Sequence, residues 1–294
     1  MASVQLKQIL FLLIVVMENN NKQILIIGKP ATSKTTFLVQ LYSLMRSGNG
    51  AIKLEGLPES IKPIEDAYKR LRRGETTQPT PADNNIDLIL NLLRGEDAFT
   101  LVCPDYGGEQ INSLISNRII KEQWLKLLAN SNNWLLFLKL HDLTAMHDVT
   151  TKPATESENH EENLKTATDY ELSEAPEMVE LLQMLLFFKA CGIQNPITHI
   201  ELKVVISRWD ELNSDISIPA DLLKQKLPLL YEFVNSNWGK ESISVWGLSA
   251  QGFDLTSDEN KEKYLEEGNE KWAFLVRPDG EQSSDITELL SSLI

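Results

Sequence analysis

Apolar positions gather into short runs rich in β-branched residues, separated by polar or helix-patterned stretches. The runs are QILIIG (23–28), NNIDLILNLL (84–93), AFTLVCPD (98–105), NWLLFLKL (133–140), IELKVVIS (200–207) and SISVWGLS (242–249). Each has the length and side-chain type of a buried strand. Helical patterns lie between them: one from about Lys34, then 111–130, 177–191, 220–237 and 284–293. Strands that are apolar on both faces and alternate with helices predict an α/β, three-layer fold with a mostly parallel sheet covered on both sides. Residues 84–93 and 98–105 are joined only by RGED, which predicts an antiparallel hairpin. No internal repeat is visible.

Two segments depart from this pattern. Residues 145–175, AMHDVTTKPATESENHEENLKTATDYELSEA, are polar, acidic and nearly free of large apolar groups. Such a stretch buries too little surface to offset its ordering entropy, so it reads as a disordered acidic insertion between the fourth strand and the next helix. At the other end, QILFLLIVVM (8–17) is shorter than the roughly 18 to 20 apolar residues of a spanning helix. It is followed by ENNNKQ rather than a small-residue cleavage site. Residues 1–16 are therefore read as a dispensable extension, with a weak membrane-surface anchor as the alternative. The main domain is 17–294, and no stable membrane insertion is expected.

Composition narrows the class. The chain has 294 residues, 42% of them hydrophobic, enough for a sizeable core. A formal net charge of −14 argues against binding nucleic acid or an anionic membrane, since both are polyanions. Cys103 and Cys191 both lie in apolar surroundings and make no disulfide framework, which fits a cytoplasmic protein. The histidines show no metal-ligand spacing with cysteine, so no zinc site is expected. Trp124 and Trp134 are expected in the core, and Trp209 and Trp238 at the surface or in a cleft.

The first strand runs into GKPATSKTTF (28–37), close to the phosphate-binding pattern G-x-x-x-x-G-K-[ST]. Gly28, Lys34 and Thr35 stand where the pattern requires them, with Lys29, Pro30, Ala31, Thr32 and Ser33 forming the loop and Thr36 following. A lysine there reaches terminal phosphates, and a hydroxyl there holds Mg²⁺. Ser33 replaces the second glycine. A serine still donates its backbone N–H, and with a negative φ it need not clash. Downstream, the third strand runs into PDYGGEQ, where Asp105 and Gly108 have the D-x-x-G spacing suited to Mg²⁺ and a γ-phosphate. The fifth runs into SRWDEL, where Asp210 can accept both N1–H and the N2 amino group of guanine and the stem of Arg208 can pack on the base. The sixth runs into SAQG, where backbone N–H groups near Ala250 can meet guanine O6.

These strand-end motifs, in this order, resemble the Ras-like P-loop GTPase superfamily. The phosphate loop is most like that of the bacterial double-GTPase families found in conflict and defence gene clusters. The resemblance covers about residues 23–293. It implies a six-stranded sheet with one antiparallel strand, flanked by helices, and it implies GTP/GDP and Mg²⁺ as ligands. By that resemblance Gly28, Lys34 and Thr35 take the phosphate-loop roles, and Asp105 and Gly108 the switch II roles. Asp210 takes the guanine role, and Ser249 with Ala250 the base-loop role. A switch I threonine must lie in RRGETTQPTPADNN (72–85). Thr76, Thr77 and Thr80 are available, and Thr80 is preferred because Pro79 and Pro81 fix an extended backbone around it.

Three departures bear on activity. Ser33 stands for glycine. Ser207 and Arg208 stand for the usual Asn/Thr-Lys pair. Glu109 follows Gly108 where a water-orienting glutamine is common, leaving Glu109 or Gln110 to orient the attacking water and predicting slow turnover. In YKRLRRGE, Arg70, Arg72 or Arg73 are candidates for an arginine finger, against a solvated helix face. The reading is a GTP-binding switch and slow Mg²⁺-dependent GTPase of a bacterial defence or signalling system, with an effector or regulator protein that reads the GTP state. The alternatives are a P-loop ATPase using Asp142 at the end of LLFLKLHD, or a non-hydrolysing scaffold of the same fold. Deleting residues 148–173 is expected to leave thermal stability and GTP affinity nearly unchanged. A melting curve and a nucleotide titration check this, and a large fall in Tm would mean that the segment is structural.

Overall fold

A computed structural model describes residues 22–48, 50–58, 60–77, 87–104, 109–141, 143, 174–189, 191, 196–212, 214–268, 271–291 and 293. Residues 1–16 and 145–173, read above as an extension and an insertion, lie outside the described residues. The elements in chain order are β1 (Lys22–Gly28), α1 (Lys34–Ser47), β2 (Lys53–Leu54), α2 (Lys62–Leu71), β3 (Leu88–Arg94), β4 (Asp97–Cys103), α3 (Glu109–Asn117), α4 (Glu122–Asn130) and β5 (Ser131–Lys139). They continue with α5 (Glu174–Phe188), β6 (Glu201–Ser207), α6 (Pro219–Lys226), α7 (Pro228–Asn237), β7 (Ile243–Ser249), α8 (Asp258–Glu267), β8 (Phe274–Val276), β9 (Gln282–Ser283) and α9 (Glu288–Ser291).

One nine-stranded sheet runs in the order β2-β3-β4-β1-β5-β6-β7-β8-β9. Strands β4, β1, β5, β6 and β7 are mutually parallel. The predicted hairpin is present: β3 pairs antiparallel with β4 from Leu88↔Cys103 to Arg94↔Asp97, and Gly95 in its turn has φ 62°. The six expected strands, one of them antiparallel, thus form the body of the sheet. The short strands β2, β8 and β9 extend its two edges. This is an α/β architecture, a mostly parallel sheet with helices on both faces.

The strands divide the core by their two-residue period. Ile24 and Ile26 of β1 face one layer, with α1, α2, α8 and α9. Leu25 and Ile27 face the other, with α3 to α7. Strand β3 differs from the expectation of two apolar faces: its positions alternate between buried and exposed, because only one side is covered. Two long helical patterns are each broken. The 111–130 pattern stops at Arg118, which adopts φ 53°. The 220–237 pattern breaks at Leu227, because Pro228 has no N–H to continue α6 and the preceding residue is forced out of helical geometry. Helices α2 and α8 were not expected; α8 buries only Tyr264 and starts at Ser257, whose Oγ accepts from the N–H of Asn260.

Trp124 and Trp134 are core residues as expected, but Trp238 is 2% exposed and also belongs to the core. Trp209 is half-buried and lies flat against β7. A Cβ on Gly247 would stand 2.5 Å from its ring, so the missing side chain is what admits the indole. Among the described residues no helix is long and apolar enough to cross a membrane.

One core residue is ionisable. Lys203 of β6 is 1% exposed, donates to the carbonyl of Leu289 in α9 at 2.9 Å, and sits 5.0 Å from the centre of the Trp246 ring. Burial pushes its pKa from 10.5 to about 7, with the nearby Glu201 carboxylate opposing the shift. The unfolded chain therefore holds the extra proton between about pH 7 and 10.5, so this residue makes stability rise with pH across that window. Compared with Lys203→Met, the wild type is expected to gain up to roughly 4 kcal/mol in unfolding free energy from pH 7 to 10. Denaturant titrations of both proteins check it, and a constant difference between them would contradict the buried titration.

Candidate functional site

Five parallel strands all end at one edge, so the loops that follow them share that edge. The registers Gly28↔Phe137, Lys139↔Ser207 and Ser207↔Leu248 bring the ends of β1, β5, β6 and β7 level. Gly28 closes β1 against β5. A Cβ there would meet Phe137 Cβ, the Phe137 carbonyl oxygen and Thr32 Oγ1, each at 3.0 Å. Only glycine fits, because the loop turns back directly over the neighbouring strand.

The loop from Lys29 to Ser33 then delivers the chain to α1. Thr32 Oγ1 donates to the Lys29 carbonyl at 2.8 Å and closes the loop internally. Lys34 is almost fully buried, and its ammonium donates to the carbonyls of Gly28 at 2.7 Å and Lys29 at 2.6 Å. Its charge therefore lies across the mouth of the loop. Ala31 has φ 61° and Ser33 has φ 58°. The negative φ allowed for Ser33 from sequence is not adopted. At the N-cap of α1, where the backbone is usually extended, Ser33 takes the left-handed conformation despite its Cβ. Each such residue costs about 1–2 kcal/mol, a strain that persists where the surrounding structure over-determines the backbone.

Lys29 leaves the loop in another direction. Its ammonium pairs with Glu174 at 3.1 Å and with Glu177, both in the first turn of α5. Burial lowers its pKa, but the hydrogen bond to Glu177 and the charges of both carboxylates outweigh that and hold it above 10.5. Thr36 Oγ1 lies 3.0 Å from Thr77 Oγ1, so one of the threonines before β3 touches the first turn of α1. Thr80, the preferred threonine, lies outside the described residues. So do Asp105 and Gly108. Glu109 and Gln110 open α3, and nothing is described of their side chains.

At the far end of the edge, Ser207 is buried and donates to the Leu138 carbonyl at 2.9 Å. Arg208, with φ 57°, starts the short turn Trp209–Glu211. Its guanidinium grips Glu211 through Nε at 2.6 Å and Nη2 at 2.5 Å. Asp210 is exposed on the same turn. Ser249 is buried and its Oγ accepts from the Gly252 N–H at 2.9 Å, bending the chain just past Ala250. Of the three arginines considered as fingers, Arg70 pairs with Glu75, and Arg72 lies over the Tyr68 ring. Sequence reasoning missed Lys29 with Glu174 and Glu177. They are about 145 residues apart in the chain, and no local spacing marks them.

A sequence profile of the Double-GTPase 1 family matches residues 25–293. The chain belongs to the Double-GTPase 1 family. It is accordingly a GTP-binding protein with a P-loop. Comparison with curated proteins finds no match. Among solved structures, the signal recognition particle receptor SRb-GTP/SRX complex from Chaetomium thermophilum is 14% identical, covering 84% of this chain and 99% of that one with a TM-score of 0.38. Roco2 RocCORdC of Methanosarcina barkeri bound to GDP is 14% identical over 85% of this chain and 48% of that one, TM-score 0.32. The bacterial selenocysteine-specific elongation factor EF-Sec is 13% identical over 85% of this chain and 29% of that one, TM-score 0.32. The Double-GTPase 1 chain thus spans about half of the Roco2 chain and under a third of EF-Sec.

The two left-handed residues give a direct test of the loop. Ala31→Gly and Ser33→Gly are each expected to raise unfolding free energy by about 0.5–1 kcal/mol, since relief of the backbone strain exceeds the extra entropy of glycine in the unfolded chain. Ser33→Ala keeps the Cβ and is expected to give no such gain. Urea titrations check all three, and a loss of stability in both glycine variants would mean the loop is not strained at these positions.

Proposed function

We propose that this Double-GTPase 1 chain is a guanine-nucleotide switch with slow, Mg²⁺-dependent GTP hydrolysis. The observation that carries the reading is the juxtaposition at one sheet edge. Lys34 lies across a closed phosphate loop, while Asp210 and the Ser249–Ala250 bend stand at the ends of β6 and β7. Lys34 supports it by partners that include two loop carbonyls and Thr32 Oγ1, acceptors that a terminal phosphate oxygen can replace. The left-handed residues at 31 and 33 support it too, since such conformations are the ones that bring successive N–H groups together into an anion-binding concavity.

Thr35, Thr80 and Asp105 are the oxygen donors assigned to the metal, a hard set suited to Mg²⁺. Held there, Mg²⁺ would supply neutralisation of charge on the β- and γ-phosphates. Gly108 offers its N–H to the γ-phosphate, and Glu109 or Gln110 orients the attacking water. Lys29, Pro30, Ala31, Thr32, Ser33 and Thr36 complete the phosphate cradle with Gly28. On the base side, Asp210 accepts from guanine N1–H and N2, the stem of Arg208 packs on the ring, and Ser249 with Ala250 faces O6. Adenine offers no such donor pair to Asp210. The pairing of Arg208 with Glu211 holds that stem beside the Asp210 turn.

A switch converts contacts to the γ-phosphate into ordered loops that a second protein reads. The partner in this reading is an effector or regulator protein, in the cytoplasm, within a bacterial defence or signalling system as the family resemblance implies. The acidic net charge and two free cysteines support the compartment and argue against a nucleic-acid partner.

Titration with labelled nucleotides in the presence of Mg²⁺ is expected to show GTP bound at least tenfold tighter than ATP, about 1.4 kcal/mol. Asp210→Asn is expected to erase that preference, since an amide presents a donor where guanine needs an acceptor. Lys34→Ala is expected to weaken GTP by more than tenfold, because a charge-assisted contact is worth roughly 1.5–3 kcal/mol. Equal GTP and ATP affinity would sink the guanine assignment. Binding by Ser33→Gly alone would make the natural loop a decayed one and the chain a scaffold.

A further inference from the structure

A cleft of about 400 Å³ opens where α1, α2 and α8 meet, and its lining includes Ser43, Arg46 and Ser47 of α1, Tyr68 and Arg72 at the end of α2, and Tyr264 of α8. It is separate from the phosphate loop. Arg46 lies a dozen residues beyond Lys34 on α1, roughly 18 Å away at 1.5 Å per residue. The walls are tied to one another. Gln40 Nε2 donates to Tyr264 Oη at 2.8 Å, joining α1 to α8. The Tyr42 and Tyr68 rings meet edge to face at 5.7 Å, joining α1 to α2. Gly74, just after α2, packs against α8, where a Cβ would be in ordinary contact with Leu265 and Lys261.

The two arginines extend that aromatic pair at either end. Arg46 lies over Tyr42, its guanidinium carbon 5.8 Å from the ring centre, and Arg72 lies over Tyr68 at 5.7 Å. The ladder Arg46–Tyr42–Tyr68–Arg72 orients two planar forks at one cleft. Four other arginines hold carboxylates, Arg70 with Glu75, Arg118 with Glu180, Arg208 with Glu211 and Arg277 with Glu288, while Arg94 donates to the Ser291 carbonyl. Among the described residues no carboxylate pairs with Arg46 or Arg72. Stacking on a ring leaves the N–H donors of a guanidinium available, and their fork matches the oxygens of a phosphate two at a time. The Tyr68 hydroxyl adds a polar group to the same cleft. The volume falls within the range of small-molecule sites.

We propose that this cleft is a second ligand site, one that takes a small phosphate-bearing anion bridged between Arg46 and Arg72. The site bears on the phosphate loop through the chain itself. Arg72 begins the turn that leads to Thr77, which meets Thr36 on the first turn of α1. An anion held by both arginines fastens the far end of α1 to the start of that turn, so both ends of the strap between α2 and the phosphate edge are then fixed.

Inorganic pyrophosphate is the probe, titrated calorimetrically without nucleotide into the full chain, into Lys34→Ala to silence the phosphate loop, and into an Arg46→Gln/Arg72→Gln double variant made on that Lys34→Ala background. Because both arginines are exposed, the double variant is expected to keep its Tm within a few degrees. The expected result is a pyrophosphate site that persists in Lys34→Ala and is weakened at least tenfold in the arginine double variant. Pyrophosphate binding that disappears in Lys34→Ala, that is unchanged in the arginine variant, or that is absent from the wild type overturns the proposal. A tetraglutamate peptide that binds the cleft more tightly than pyrophosphate overturns the ligand class. Because no arm uses guanine nucleotide, a failure here is distinct from a failure of the switch reading.

Discussion

The backbone of Gly28 runs so close to β5 that no side chain fits between them, and the functional edge of the protein depends on that approach. It can occur because β1 is buried on both faces and hydrogen-bonded on both sides, to β4 and to β5. A strand held this way does not slip in register, since a one-residue shift would exchange Ile24 and Ile26 with Leu25 and Ile27 between two different cores. With β1 fixed, the loop after it has a fixed starting point. The parallel registers of β5, β6 and β7 then bring the base-side turns level with it.

The same rigidity explains how Ala31 and Ser33 hold left-handed conformations. Their strain is local, whereas what holds them is spread over the sheet, α1 and the internal bonds of Thr32 and Lys34. Arg208 at the base-side turn repeats the arrangement, with a bidentate grip on Glu211 in place of loop carbonyls. Three of the four non-glycine residues with positive φ among the described residues lie in loops of this edge. Backbone strain is thus concentrated where the chain must turn sharply to present N–H groups, and it is nearly absent elsewhere.

The body of the fold could be read from sequence because its signal is strong and local. Long apolar runs such as Ile24–Ile27 and Leu135–Leu138 have no alternative to burial, and RGED is too short for anything but a hairpin. The phosphate loop was legible for the same reason, since its residues are consecutive. Helix α8 was not, because its stability comes from a serine cap and one buried tyrosine rather than an apolar stripe. The breaks at Arg118 and Leu227 were hidden because apolar spacing continues through them. The φ of Ser33 could not be read because residue type alone does not state how tightly the loop must turn. The placement of Trp238 and the meeting of Lys29 with Glu174 and Glu177 depend on tertiary contacts that no window of sequence contains.

Lys29 has a further consequence. The phosphate loop continues into α1, which belongs to one helical layer, while the Lys29 side chain reaches over the sheet edge to α5, which belongs to the other. The loop is therefore a rivet through the edge of a three-ply sandwich, anchored by backbone on one side and by an ion cluster on the other. The phosphate-binding backbone and the first turn of α5 therefore share one fastening, although they belong to opposite helical layers.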